Sequence, residues 1–160
     1  MSNYSVKVGD MIIDSDQIHV VSKIENGLVS YHPLTKDANG GNNTGSIPLD
    51  NFSKAGIRPI LTKKDVKVFL KNLPTEKPLN VPVYNFKNNN SLKEYLYLND
   101  PTKTGQFLIY LKECQKDSPL SNSDQAIFDQ AVKHLSDEIS VVNQIPFTTA
   151  KKQLLSALKM

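Results

Sequence analysis

The chain has one arginine, one cysteine and no long apolar run, and each shortage removes a class of function. Arg58 is the only guanidinium among 19 basic residues, so bidentate forks onto phosphate or guanine are scarce. Cys114 has no second thiol, which excludes an intrachain disulfide and leaves no cysteine-rich zinc site. No stretch approaches the roughly 18 apolar residues of a membrane-spanning helix. The opening MSNYSVKVGDMII lacks the apolar core of a signal peptide, so a cytoplasmic location is expected. There is no phosphate loop, nucleophile elbow or carboxylate pair. His19, His32 and His134 lack metal-ligand spacing, and Cys114 continues an apolar stripe rather than joining His134 in a dyad. The expectation is a protein that is not an enzyme, with no cofactor and no metal.

What is present fits a soluble globular chain. Of 160 residues, 22% are charged and 39% hydrophobic, with a formal charge of +3. That mild excess points to nucleic acid only where lysines cluster. Lys63, Lys64, Lys67 and Lys71 are one such group, on the polar side of a predicted helix, where a solvated face explains them equally well.

The first sixty residues read as β-structure. Met11-Ile12-Ile13 follows a Gly9-Asp10 turn. Ile18–Ile24 is rich in β-branched residues and meets Leu28–His32 through an Asn26-Gly27 hairpin signal, with Val29 and Tyr31 facing opposite to Leu28, Ser30 and His32. Asp37–Gly45 is a loop by its glycines and asparagines, and Ser46–Leu49 is one more short strand. Short strands with close turns suggest a small SH3-like or Tudor-like barrel over residues 1–60. Alone it would bury little and be marginally stable.

From Thr62 the period becomes helical. Thr62 with Asp65 is an N-cap pattern, Val66, Phe69, Leu70 and Leu73 form a stripe, and Pro74 ends it. Residues 74–90 are linker-like, and Ser91–Glu94 is a capping-box pattern for a short helix. Phe107, Leu108, Leu111 and Cys114 mark the next helix. Ser121–Asp124 starts the longest, which Pro146 breaks, and Thr148 or Thr149 begins the last. Glu138 lies close to the apolar side of the long helix, where an unpaired carboxylate is costly, so it is expected to accept from neighbouring backbone. Arg58, at the junction, is expected in an ion pair or a carbonyl contact bridging the two halves. The fold class is α+β: a β domain over 1–60, then an all-α bundle over 61–160.

The order VGD-M-I-I, a VSKIENG hairpin, IPLDNFSKAGIRPI, a capped helix and then LSNSDQAIFDQAVKHLSDEISVV resembles the CarD/CdnL-like bacterial transcription regulators over nearly the whole chain. The resemblance implies that residues 1–60 are a CarD-like module binding the RNA polymerase β subunit. It implies that residues 61–160 contact promoter DNA at the upstream fork and stabilise the open complex. The candidate polymerase surface is the edge strand Gly45, Ser46 and Ile47, pairing through its main chain. Tyr84 falls on or near the family's wedge tryptophan, with Lys87 and Lys93 as phosphate contacts.

Three departures bear on strength. Asp14-Ser15-Asp16-Gln17 replaces the family's usual Tyr-Pro-x-His-Gly-like turn, and Ser46 stands where an arginine is common. No tryptophan is present, and Asn85, Phe86 and Lys87 occupy positions usual for arginines. The expected DNA contact is therefore weak and sequence-nonspecific, and the protein a monomer without membrane contact. The alternative reading is an adaptor that binds polymerase or another partner without touching DNA.

Overall fold

Asn26 and Gly27 both take left-handed backbone angles, φ 52° and 75°, which is the geometry a two-residue hairpin needs to match strand twist. That turn joins β2 (Gln17–Glu25) to β3 (Leu28–Pro33). The computed structural model describes residues 6–14, 17–34, 45–51, 57–78 and 100–160. Within them β1 (Met11–Asp14) pairs with β2, β4 (Gly45–Pro48) with β3, and β5 (Arg58–Pro59) with β1. All pairings are antiparallel and the order is β4-β3-β2-β1-β5, an open sheet with β4 and β5 at its edges.

The pleat sorts the side chains. Ile12, Val21, Val29 and Tyr31 share one face and, with Ile57, form a small core on which Val6, Ile24 and Ile47 pack. Leu28 and His32 are exposed, so the alternation read from the sequence holds through β3. A bulge between Val21 and Lys23 resets β2 so that Ile24 pairs with Val29 and returns to the core side. Arg58 sits opposite Ile13 and donates from Nη1 to the carbonyl of its own neighbour Pro59 at 3.1 Å.

The chain divides into two compact units, Met1–Ile60 and Leu61–Met160. The second has four α-helices among its described residues: α1 (Lys63–Asn72), α2 (Pro101–Gln115), α3 (Asn122–Asn143) and α4 (Phe147–Ala157). Thr62 and Asp65 close a full capping box at the start of α1, each side chain accepting from the other's backbone N–H. Asp100 caps α2 and Ser121 caps α3 by the same kind of bond. Val66, Phe107, Leu111, Leu135, Ile139 and Leu154 are among the side chains that build one core, each contributing about 1.5–3 kcal/mol by leaving water.

Two helix ends differ from the sequence reading. α3 stops at Asn143, before Pro146, because Gln144 turns left-handed (φ 54°) and both its N–H and that of Ile145 return to the Ser140 carbonyl. α4 begins at Phe147 rather than at Thr148 or Thr149. Pro146 holds an extended backbone (φ −60°, ψ 149°) at the N-cap, and its ring carries no acceptor, so no side-chain cap forms. The Ser91 capping pattern and the linker-like stretch from 79 onward lie outside the described residues. Among the described residues, no helix is long and apolar enough to cross a membrane.

Candidate functional site

β4 is an edge strand that pairs only with β3 among the described residues. Its register sets Gly45 opposite Tyr31, Ser46 opposite Ser30, Ile47 opposite Val29 and Pro48 opposite Leu28. The Leu49 N–H donates to the Gly27 carbonyl at 2.8 Å. By the alternation of antiparallel ladders, Ile47·Val29 and Gly45·Tyr31 are then the hydrogen-bonded pairs, and Ser46·Ser30 and Pro48·Leu28 the open ones. Ser46 N–H, Ser46 C=O and Pro48 C=O therefore point away from the sheet. Pro48 adds no donor, so Ser46 carries the one outward N–H of the strand. Ile47 is half-buried against the sheet core, whereas Ser46 and Pro48 are exposed.

Behind this edge stands a polar cluster that sequence reasoning missed. The Tyr31 hydroxyl donates to Asp14 Oδ2 at 2.9 Å, across 17 residues of chain. The His19 ring meets the Tyr31 ring edge-on, with centroids 5.1 Å apart and planes at 88°, and His19 Nδ1 lies 3.1 Å from the Gln17 carbonyl. Burial, then the hydrogen bond to Asp14, then the Asp14 charge push the Tyr31 phenol up to about 12, so the hydroxyl stays protonated as a donor. Gly45 lies under the ring. A Cβ at that position would come within 2.6 Å of Tyr31 Cζ. The signal available in the sequence was parity alone: Ile12, Asp14 and Tyr31 fall on one face once β1 and β3 are both aligned to β2.

In the helical unit, Glu138 is fully buried and its Oε2 accepts the Leu61 N–H at 2.8 Å, the backbone role expected for it. Cys114 is half-buried on α2, and His134 is buried in α3 rather than at the edge of its stripe. Burial and a hydrogen bond to Cys114 push the Tyr110 phenol upward. No group of three or more His, Cys, Asp or Glu is placed to hold a metal among the described residues. Lys63, Lys64, Lys67 and Lys71 are all exposed. Tyr84, Lys87 and Lys93 lie outside the described residues. Of the candidate residues, the structure thus assembles Gly45, Ser46 and Ile47 as one sheet edge. No protein-family model and no curated protein matches this chain.

Proposed function

We propose that this chain is a non-catalytic, cytoplasmic regulator of bacterial transcription of the CarD-like kind, whose β unit is an SH3- or Tudor-like module for the RNA polymerase β subunit. The observation that carries the reading is the β4 edge, whose Ser46 N–H and C=O face outward on a short strand with small side chains. A strand of the partner laid beside β4 would take the Ser46 donor and the Ser46 and Pro48 acceptors, adding a sixth strand by β-augmentation. The ordered sequence resemblance supports the identity of the partner. In this reading Tyr84, Lys87 and Lys93 lean on upstream fork DNA and lengthen the life of the open complex.

Main-chain recognition gives a sharp test. Ser46→Pro deletes the outward N–H while keeping the ladder bonds to β3, and edge strands tolerate proline. Binding of the full chain to a polymerase β-lobe fragment, measured by calorimetry, should weaken at least about tenfold in Ser46→Pro, the effect of one lost hydrogen bond plus a stranded acceptor. Ser46→Ala should bind as the parent does. Absence of any complex with the parent chain overturns the reading. The scarcity of arginine, with Ser46 at a position where the family often has one, favours a second reading, an adaptor without DNA contact. Open-complex lifetime decides: an unchanged lifetime in Tyr84→Ala, with polymerase binding intact, selects the adaptor.

A further inference from the structure

α3 and α4 pack on one another, and an open groove of about 270 Å³ runs between them. Phe128 and Val132 of α3 form its floor and are buried. Phe147 and Met160 stand at its walls, 36% and 50% exposed. With Val68 they are the exposed large hydrophobic residues of the helical unit among the described residues. Met160 is seated by a Schellman turn. Its N–H donates to the Leu155 carbonyl at 2.9 Å, and the Lys159 N–H donates to the Ser156 carbonyl at 3.0 Å. Lys159 is left-handed there (φ 60°), a strained conformation for a lysine, so the turn that sets Met160 beside Leu155 is held against a local cost.

The charges at this groove are of both signs and lie on opposite walls. Asp129 and Lys133 line the α3 side, and Lys151 lines the α4 side. Lys133 is paired with Asp137 at 3.0 Å, so its charge is cancelled locally, whereas Asp129 accepts from the neutral Gln125 amide. The Lys151 ammonium makes no hydrogen bond or ion pair with a described residue. The two helices repeat the contrast. α3 has Asp124, Asp129, Asp137 and Glu138 against Lys133, a net −3, of which Glu138 is buried on the Leu61 N–H. α4 has Lys151 and Lys152 and no carboxylate, a net +2, and Lys159 follows it.

We infer that this groove is the interface through which two copies of the chain associate, in place of the monomer expected from the sequence. A two-fold axis along the groove lays the α3 wall of each copy on the α4 wall of the other. Each Asp129 wall then meets a Lys151 wall, and the exposed Phe147 and Met160 of one copy cover the apolar floor of its partner. A partner of a single charge sign would satisfy one wall and repel the other, so the self-complementary pattern selects a second copy. One groove of this size is a small interface, and the dimer is accordingly a weak one, formed at micromolar concentration or above. The inference uses the helical unit alone and stands without the β4 reading.

The test is sedimentation velocity of the full chain from about 5 to about 300 µM. The parent should move from the 17.9 kDa monomer toward a species of twice that mass. Phe147→Ser removes an aromatic anchor and should weaken association at least about tenfold. Asp129→Lys alone and Lys151→Glu alone each set like charges face to face, and each should weaken it at least about tenfold. An equimolar mixture of these two variants should associate again, as should the double variant Asp129→Lys/Lys151→Glu, because both restore walls of opposite sign. All variants should keep the parent's helical circular dichroism, since the three side chains are exposed. A parent that stays monomeric throughout overturns the inference and leaves the groove to a different partner. It is overturned equally if association survives Phe147→Ser and both single charge variants, the result expected of pairing through β4, or if the mixture stays monomeric.

Discussion

Gly45 carries a hydrogen where any other residue would place a Cβ within 2.6 Å of the Tyr31 ring. The ring cannot swing aside cheaply, since its hydroxyl is held by Asp14 and its edge by His19. Gly45→Ala should therefore destabilise the β unit by about 1–3 kcal/mol, the usual cost of overpacking a built core, visible as a lower urea midpoint. Ser46→Ala, one residue on and exposed, should change it little. The Tyr31 hydroxyl itself makes a pH prediction. Its folded value is raised from 10.0 to about 12, so the stabilisation from the neutral phenol is present in full below pH 10. That stabilisation is lost as pH climbs from about 10 through 12, while the unfolded chain already ionises. Urea midpoints of the β unit should fall across this window in the parent and stay flatter in Tyr31→Phe, which starts lower because Asp14 has lost its donor. A parent midpoint that is flat to pH 12 would rule out the Tyr31–Asp14 bond.

Among the helices, the ends carry local contributions that single substitutions can read. The Thr62–Asp65 capping box satisfies two N-terminal donors of α1, and the backbone N–H of Thr62 holds the Asp65 carboxyl below its usual 3.8. Thr62→Ala should cost about 1 kcal/mol. The Asp65 contribution should persist above pH 4 and fade as pH falls through the lowered value, so the acid side of the melting curve should steepen less in Asp65→Asn. At the C-terminus of α3 the sign reverses. Gln144 holds φ at 54° with a full side chain, a conformation that glycine adopts without steric penalty. Gln144→Gly should raise the Tm of the helical unit, by the equivalent of about 1 kcal/mol less the entropy that glycine loses on folding. A fall in Tm would mean that the Gln144 side chain contributes more than its backbone costs.

At the scale of the molecule, the two units differ in what they bury. Among the described residues, the helical unit has fifteen buried hydrophobic residues in one cluster, and the β unit's cluster has five. A fragment spanning Leu61–Met160 should therefore fold alone with a cooperative thermal transition by circular dichroism. Met1–Ile60 alone should be marginal, in line with the small area so short a sheet removes from water. Much of this was legible in the residues, and the reason is range. The Asn26-Gly27 hairpin, the Thr62 cap and the stripes of α2 and α3 are set by neighbours within four positions, where turn chemistry and periodicity act. Glu138 was legible too, because a carboxylate on an apolar stripe must find a donor, although that the donor is Leu61, 77 residues away, was not. The end of α3 was missed because a left-handed Gln144 carries no local signature comparable to glycine. The sequence by itself thus determined the α+β order, the element boundaries that caps and turns enforce, and the parity of β3. Only the tertiary structure decided that Gly45 is a glycine for the sake of Tyr31, that Asp14 meets that ring, and that Ser46 turns its N–H outward. Those facts depend on the register between strands distant in the chain, and a shift of one residue would reverse every one of them.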